Sequence, residues 1–397
     1  MPTRLPISRL RIWQLAIPMR RKFSHAAAER AVAEPLVVAV ELANGVVGYG
    51  ETHPRPYVTG ETTASVLAAI REVFVPRLVE SGPTQFGEAI EAAAALPQVD
   101  DEGTVVTAAR AAVELAMLDA YSRAFGKSLE SLAGWVSETR LGAPGSVETA
   151  RFGGVISASE PDRAARSIRK MRWGRLTHFK VKVGDAEDDA RVRACAARLG
   201  RSLERGATTL RLDANAGWTL DQATERLQAW ESLPIVSVEQ PLARGALDEW
   251  VELTCRTSIP LMADESLVTI DDGEQLIDWS AASWFNIRIS KNGGLIPSLR
   301  LAEMALENNV DVQLGCMVGE TSILSAAGRW FLQLVPGVRF AEGSFGRFLL
   351  SEDIVGRSLR FGLGGRWTPM RGPGLGVEVR EDRLTRLSML PVVEVPL

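Results

Sequence analysis

Three short segments, RLDANAG (211–217), SVEQP (237–241) and MADES (262–266), decide the fold that this sequence predicts. In each of them a β-rich run ends in a carboxylic acid, and a helical pattern follows. Comparable units recur on both sides of these three, so that eight strands alternate with helices. The predicted strands are 152–156, 178–184, 209–217, 235–241, 259–266, 283–294, 311–317 and 338–344.

The polar residues at the ends of these strands are evenly spaced. From Lys182 to Asp213 is 31 residues, followed by 26 to Glu239, 25 to Asp264 and 27 to Lys291. One β/α unit of a barrel of about 250 residues occupies roughly 30 residues. A doubly wound open sheet shares the alternation but does not need such regular phasing. The spacing therefore predicts an α/β protein built on a somewhat modified TIM (β/α)₈-type barrel.

The chain around the barrel predicts two further parts. Residues 1–140 indicate an N-terminal α+β capping domain, with a hairpin over 35–50 and a long Ala-rich helix that ends at Gly126. The turn-rich stretch 141–146 separates this domain from the barrel, which we place at 146–345. The last segment, 346–397, is expected to complete the barrel and the cap.

Composition excludes several classes of protein. The 397 residues carry a formal net charge of −4, which argues against nucleic acid or an anionic membrane as the main partner. No apolar stretch approaches the roughly 20 residues of a membrane span. The three cysteines are far apart and never form a CxxC pair, which excludes a disulfide scaffold and fits a reducing compartment. We expect a cytoplasmic protein.

The three strand-end acids, Asp213, Glu239 and Asp264, predict a metal site. Each alone could cap the helix that follows it. On three successive barrel strands, however, they would surround one point at the barrel mouth, where carboxylates repel one another unless a cation neutralises them. Oxygen ligands favour Mg²⁺, or Mn²⁺, over zinc.

Lysines on two opposite strands predict acid/base chemistry at the same point. Lys180 and Lys182 leave one face of their strand, although an isolated pair of this kind more often has one amine that reaches solvent beside an acid. Lys291 follows the sixth strand, across the barrel from the second. Two amines on opposite sides of a metal-held carbon acid are suited to moving a proton α to a carboxylate.

These motifs together resemble the enolase superfamily, and within it the muconate-lactonizing-enzyme subgroup of the mandelate racemase/muconate lactonizing enzyme family. The resemblance runs nearly end to end. It implies Mg²⁺ held by Asp213, Glu239 and Asp264, Lys182 and Lys291 as the acid/base pair, and electrostatic help from Lys180. It further implies that Asn215, Gln240 and Glu265 support the metal ligands. The motifs that carry it are GYGE (48–51), TGET (59–62), KVK (180–182), DAN (213–215), EQP (239–241), ADES (263–266), KNGG (291–294) and GCM (315–317).

The resemblance also suggests which residues meet the substrate. Dipeptide epimerases of this subgroup resemble one another in an Asp-x-Asp pair after the eighth strand, whereas residues 340–346 read FAEGSFG here and contain no Asp. The stretch GSFGRFLLSEDIV (343–355) is more similar to cycloisomerases, so cycloisomerisation is the favoured reaction. Arg20, Arg21 and Lys22 are placed in a capping loop, where they could meet a second substrate carboxylate. The candidate substrate-binding residues are Arg20, Arg21, His25, Tyr57, Cys316, Met317 and Glu342.

Several alternatives stay open. The same two-lysine site serves an N-acylamino acid racemase, an o-succinylbenzoate-synthase-like dehydratase and a dipeptide epimerase. From other classes, a non-catalytic barrel that senses ligands through its metal and a metal-dependent aldolase remain. None of the three histidines follows a later strand, so a His–Asp dyad of the mandelate-racemase type cannot be built, and His178 at the start of its strand is expected to be structural. We expect a small carboxylate substrate and a homo-oligomer.

Overall fold

A computed structural model describes residues 4–25, 28–79, 82–137, 141–142 and 150–397, with side chains described outside 21–30. The predicted boundary at 141–146 lies mostly outside the described residues. The N-terminal elements are β1 (Ile7–Gln14), β2 (Ile17–His25), β3 (Ala28–Ala33), β4 (Leu36–Leu42), β5 (Val47–Thr52), α1 (Thr63–Ala69), a π-helical turn (Ile70–Phe74), α2 (Val75–Val79), α3 (Phe86–Ala94), α4 (Thr107–Phe125) and α5 (Ser131–Val136).

The cap is an antiparallel sheet covered by helix α4. The predicted hairpin pairs β4 with β5, and the predicted helix α4 ends at Gly126, whose φ of 63° gives the left-handed cap. Gly48 and Gly50 on β5 face α4, where a methyl group at Gly50 would overlap the backbone of Ala112. The GYGE segment therefore allows the strand and the helix to touch backbone to backbone.

Arg20, Arg21 and Lys22 lie in a strand, which corrects their predicted placement in a loop. They belong to β2, which pairs antiparallel with β3 in a separate two-stranded ribbon, and His25 is the last residue of the same strand. The prediction was wrong because Pro18 and the run of charges interrupt the alternation of polar and apolar residues that identifies a strand.

The barrel has the predicted order of strands and helices. Its elements are β6 (Arg151–Phe152), β7 (Gly154–Ile156), α6 (Pro161–Trp173), β8 (His178–Lys182), α7 (Asp188–Leu199), α8 (Arg201–Glu204), β9 (Thr209–Asp213), α9 (Leu220–Trp230), β10 (Ile235–Glu239), α10 (Leu247–Arg256), β11 (Leu261–Ala263), α11 (Ile270–Asp278), β12 (Trp284–Ile287), α12 (Leu295–Glu307), β13 (Asp311–Leu314), α13 (Ser322–Leu334) and β14 (Phe340–Ala341). All the pairings among these strands are parallel.

The first barrel strand is divided into two pieces at Gly153, so the barrel sheet has nine strands where eight were predicted. The first piece, β6, pairs with β14, whereas the second piece, β7, pairs with β8. The two pieces together connect the last strand to the second and close the barrel.

The C-terminal segment returns to the cap. Its elements are α14 (Gly346–Leu349), a 3-10 turn (Leu363–Gly365), α15 (Glu381–Leu387) and β15 (Val393–Pro396). Strand β15 pairs antiparallel with β1 and so extends the cap sheet. After β14 the chain forms only the four-residue helix α14, where a regular barrel would have a full helix. Across the described ranges, no helix has the length and apolar content that crossing a membrane requires.

Candidate active site

Three buried acids stand at the C-terminal ends of successive barrel strands. Asp213 is the last residue of β9, Glu239 is the last of β10, and Asp264 directly follows β11. Glu239 is in register with Asp213, and Asp213 with Lys182 on β8. Their exposed fractions are 0 to 1%. The structure therefore brings the predicted acids to one end of the barrel, the end at which barrel enzymes have their active sites.

The two lysines of β8 contact these acids. The Lys180 Nζ atom lies 3.2 Å from Asp213 and 3.1 Å from Glu239, and it also lies 2.7 Å from Glu342 after β14. The Lys182 Nζ atom lies 2.8 Å from Asp213 Oδ2. Lys180 is fully buried, whereas Lys182 is partly open to the cleft. Both amines thus point into the barrel mouth, as the alternation of the strand predicts.

Lys291 reaches the acids from the opposite wall. It is fully buried and lies 3.0 Å from Asp264 Oδ1, and it also donates to the carbonyl oxygen of Asn286. A cap residue fixes the loop that carries it, because Glu114 of α4 accepts hydrogen bonds from the backbone N–H groups of Leu295 and Ile296 at 2.7 Å. The left-handed Gly294, with φ of 114°, lies against the same carboxylate. The cap therefore helps to position Lys291.

Several buried polar residues of the barrel interior were not predicted. Arg288 contacts the carboxylate of Asp264 and lies 3.6 Å from Glu239, and Arg211 lies 3.3 Å from Glu342. Asn286 and Gln313 donate hydrogen bonds to Glu239. A signal existed, because Arg211 precedes Asp213 by two residues and Asn286 precedes Arg288 by two, as same-face neighbours on a strand do.

The acids are held together by cations. Lys180 joins Asp213 to Glu239, and Arg288 joins Glu239 to Asp264. Among the described residues, no three His, Cys, Asp or Glu side chains are arranged so as to hold a metal ion. The donor set is nonetheless suited to a hard cation, since it consists of buried carboxylate oxygens. Beside these three acids, Glu265 Oε2 is also buried and has no hydrogen-bond partner in the described part of the chain.

Burial and neighbouring charges shift the pKa values of these groups. Burial lowers the pKa of Lys291 well below its usual value, and the charge of Arg288 adds to this. Burial opposes the charged form of Lys180 as well, but Glu239, Glu342 and Asp213 outweigh it and raise its pKa. Burial also raises the pKa of Glu265 to about 7, with the charges of Asp213 and Glu239 acting in the same direction. The two buried lysines therefore differ in how strongly they hold a proton.

Two amide side chains lie next to the acids. The Gln240 Oε1 atom accepts hydrogen bonds from the backbone N–H groups of Asp264, at 3.0 Å, and Ser266, at 3.1 Å. Asn215 accepts a hydrogen bond from Lys182 at 2.5 Å and donates to Glu265 at 3.4 Å. Both residues have positive φ angles, 46° for Asn215 and 40° for Gln240, at the bends where the strands end. The supporting roles predicted for Asn215, Gln240 and Glu265 stay predictions.

Lys180 and Lys182 open into a cleft with a volume of about 1530 Å³, which Glu265 and Arg288 also line. Most of the predicted substrate-binding residues line it, although Arg20 also donates hydrogen bonds to the backbone carbonyls of Leu350 and Ser351. The side chains of Arg21 and His25 lie outside the described residues. The predicted residues that line the cleft are Arg20, Tyr57, Cys316, Met317 and Glu342.

The described histidine side chains lie outside the cleft. His53 is buried, and its ring nitrogens contact Glu51 at 3.1 Å and Arg55 at 3.2 Å. His178 begins β8, at the end of the barrel away from the acids, and its Nδ1 atom lies 2.9 Å from Thr209 Oγ1. The expectation that His178 is structural is consistent with this position.

Two family models cover most of the chain. The model described as "Mandelate racemase / muconate lactonizing enzyme, N-terminal domain" matches residues 10–134. The model described as "Enolase C-terminal domain-like" matches residues 162–383. The first match covers the cap and the second covers nearly all of the barrel.

Characterised relatives match along nearly their whole length. The chain is 26% identical to an N-succinyl-L-Arg/Lys racemase of Bacillus cereus, over 97% of this chain and 98% of the relative. It is 28% identical to an L-Ala-D/L-Glu epimerase of Bacillus subtilis (94% and 97%) and 29% identical to muconate cycloisomerase 1 of Rhodococcus opacus (93% and 94%). The crystal structure of the Bacillus cereus racemase superposes with a TM-score of 0.84, covering 98% of this chain and 100% of that one.

Proposed function

This chain belongs to the mandelate racemase/muconate lactonizing enzyme family of the enolase superfamily, and on that premise we propose that it is a divalent-metal-dependent isomerase that removes and returns the proton α to a substrate carboxylate. The isomerase class is shared by its relatives, which are a racemase, an epimerase and a cycloisomerase. The chemistry common to them requires a base, an acid and a means of stabilising negative charge at the reacting carbon.

The observation that carries the proposal is the placement of Lys182 and Lys291 on opposite walls of one acidic site. Lys182 lies 2.8 Å from Asp213, and Lys291 lies 3.0 Å from Asp264. A substrate carbon held between the two amines would present one face to each of them. One amine would take the proton from its face, and the other would return a proton to the opposite face, which inverts the configuration. Removal and return on a single face would leave the configuration unchanged.

Asp213, Glu239 and Asp264 are the residues that would hold a divalent cation, which we propose to be Mg²⁺. When bound, such an ion neutralises the substrate carboxylate and makes the neighbouring C–H bond more acidic. The three acids supply hard oxygen ligands. Because Lys180, Arg288 and Lys291 neutralise the acids in the structure, ion binding would require at least the contact between Arg288 and Asp264 to open.

The geometry favours racemisation of an N-acyl amino acid. Pockets that enclose drug-sized ligands have volumes of about 300–1,000 Å³, and the cleft of about 1530 Å³ exceeds that range. A substrate with an extended acyl group makes better use of such a cleft than a compact one. The sequence FAEGSFG at 340–346 offers no Asp for the ammonium group of a dipeptide.

Cycloisomerisation, which the sequence favours, is the second candidate. Glu342 supports it, because the segment after β14 has this one acid where dipeptide epimerases of the subgroup have a pair of aspartates. The carboxylate of Glu342 forms ion pairs with Lys180, at 2.7 Å, and with Arg211, at 3.3 Å. It is therefore placed to orient the lysine rather than to bind an ammonium group.

A solvent-exchange assay tests the proposal. The protein with Mg²⁺ is incubated in D₂O with N-acyl amino acids, dipeptides and muconates, and deuterium at the α-carbon is followed by NMR. We expect exchange and racemisation with N-acyl amino acids. Lactone formation from a muconate, without racemisation, would establish the second candidate instead. Binding of Mg²⁺ and ligands without any exchange would overturn the proposal in favour of a ligand-sensing barrel.

A further inference from the structure

Helix α6 exposes a stripe of unpaired cations. Residues 161–175, which include α6, contain six cations and one acid. On the helix, Arg166, Arg169 and Trp173 are spaced three and four residues apart, so they lie on one face, which is turned away from the buried Ile168. Both arginines are exposed, and neither forms an ion pair with any residue that the structure describes. Trp173 is 76% exposed. We call these three residues the basic stripe.

Helix α11 exposes a stripe of acids with the same spacing. Asp271, Glu274 and Asp278 are exposed and are spaced three and four residues apart. None of them forms an ion pair in the described part of the chain. Trp279, which follows Asp278, is 50% exposed. The helix contains no cation. We call these four residues the acidic stripe.

The repetition of like charge in each stripe works against the helix that carries it. Like charges three or four residues apart destabilise a helix, and both stripes contain such pairs. Asp278 also lies in the last turn of α11, where the helix dipole disfavours an acid. Both stripes end in an exposed tryptophan, a residue type that is enriched among the residues that dominate protein interfaces. A contact with another surface would account for these features.

The two stripes lie on opposite sides of the barrel. Helix α6 follows the first barrel strand and α11 follows the fifth, when β6 and β7 are counted as one strand. One molecule therefore cannot bring its two stripes together, but two molecules can. At a rise of 1.5 Å per residue, the charges of both stripes repeat every 5 Å, roughly. The cations of one stripe thus match the acids of the other in spacing as well as in sign.

We propose that the basic stripe of one copy of this protein docks against the acidic stripe of a second copy. The arginines pair with the acids, and the tryptophans bury apolar surface at the edge of the contact. The contact is heterologous, so a docked pair still offers one unused stripe of each sign, to which further copies can add. Because exposed ion pairs contribute little free energy each and are screened by ions, the association is weak and depends on salt.

Sedimentation velocity on the full chain, at a concentration of about 100 µM, tests the contact. The weight-average mass in about 20 mM NaCl should be at least about twofold higher than in about 500 mM NaCl. Arg166→Glu/Arg169→Glu and Asp271→Arg/Glu274→Arg should each show the high-salt mass under both conditions, since the two stripes of either variant carry the same sign. An equimolar mixture of the two variants should recover the higher mass, because stripes of opposite sign are available again.

A charge reversal on another helix supplies the matched control. Arg201 and Arg205, in and directly after α8, are exposed and lie outside the basic stripe. Arg201→Glu/Arg205→Glu changes the net charge by the same amount as Arg166→Glu/Arg169→Glu and should associate like the wild type. A wild-type mass that does not depend on salt, an equal loss in the control, or no recovery in the mixture would overturn the proposal.

The same variants separate this proposal from its alternatives. Binding of the wild type to phosphatidylglycerol vesicles, abolished in Arg166→Glu/Arg169→Glu and without self-association, would assign the basic stripe to a membrane surface and overturn the contact between copies. Neither stripe lines the cleft, so the charge-reversal variants should keep the α-proton exchange of the wild type. The contact between copies can therefore fail or succeed independently of the proposed function.

Discussion

Lys291 and Asp264 form an ion pair inside the barrel mouth, with Nζ 3.0 Å from Oδ1 and neither side chain exposed to solvent. The free energy needed to remove two such charges from water commonly exceeds the free energy gained from their attraction. The same applies to Lys180, Arg288 and the acids that they join. A cluster of this kind is poor evidence for stability, and its position at the C-terminal end of a barrel indicates chemistry instead.

Chelation should abolish the activity reversibly. If Asp213, Glu239 and Asp264 hold Mg²⁺, α-proton exchange should disappear in EDTA and return with Mg²⁺. Because an ion that binds only the folded chain stabilises it, Mg²⁺ should also raise the Tm. Asp264→Asn should lose both responses. Full exchange in EDTA, or a Tm that Mg²⁺ raises equally in Asp264→Asn, would exclude these residues as the ligands.

Replacing Gln240 with Leu should reduce activity by about 10- to 100-fold, the usual effect of losing a residue that orients metal ligands. The side chain is fully buried, and its Oε1 atom accepts hydrogen bonds from the backbone N–H groups of Asp264 and Ser266, which the variant would leave without this partner. The measurement is the exchange rate as a function of Mg²⁺ concentration. Gln228→Leu, on the exposed face of α9, is the control and should behave like the wild type. Unchanged Mg²⁺ dependence in Gln240→Leu would show that the amide has no such role.

Gly50→Ala should destabilise the protein by about 1–3 kcal/mol, the usual cost of overpacking. The new methyl group would overlap the backbone of Ala112, which cannot move without shifting α4. Gly87→Ala is the matched control, because Gly87 is exposed in helix α3 with open space around it. It should be neutral or stabilise by up to about 1 kcal/mol. Thermal unfolding of the two variants compares them directly, and equal Tm values would contradict the close strand–helix contact.

Stability should fall as the pH drops from about 6.5 towards 4, partly because of His178. Burial, with help from Arg211, Arg339 and Arg151, lowers the pKa of His178 to about 4, whereas the unfolded residue titrates near its ordinary value. Between these values the unfolded chain binds the proton and the folded chain does not, which favours unfolding.

His178→Asn tests this, since Asn can still accept a hydrogen bond from Thr209. Between pH 7 and pH 5, the wild type should lose roughly 2 kcal/mol more of its unfolding free energy than the variant does. This difference is measured as the change in Tm between the two pH values. Parallel pH profiles for the two proteins would mean that His178 is not held neutral in the fold.

The sequence was sufficient to predict the barrel and its principal polar residues because each of them is marked locally. Asp213, Glu239 and Asp264 end β-rich runs at near-constant spacing, and parallel strands in a barrel necessarily bring their C-terminal ends together. The lysines were predicted for the same reason. The alternation of residues along a strand fixed the face on which Lys180 and Lys182 lie.

Other features depend on neighbours that are remote in sequence. The pairing of Arg288 with Asp264 and of Arg211 with Glu342 follows only from the closed barrel. Arg211 and Glu342, for example, are separated by 131 residues in the sequence. Residues of the segment after α14 line the cleft, and a single sequence does not indicate how that segment packs. The ribbon β2–β3 has weak alternation, which explains its prediction as a loop.

Exchange in single-lysine variants is the most direct test of the two opposed amines. Each enantiomer of an N-acyl amino acid that the wild type racemises is incubated in D₂O with Lys182→Ala or Lys291→Ala, with Lys127→Ala on the protein surface as the control. Each variant should lose exchange by about 10²- to 10⁴-fold with one enantiomer and retain it with the other, and the two variants should lose opposite enantiomers. Wild-type exchange of both enantiomers in either Lys182→Ala or Lys291→Ala would contradict the mechanism.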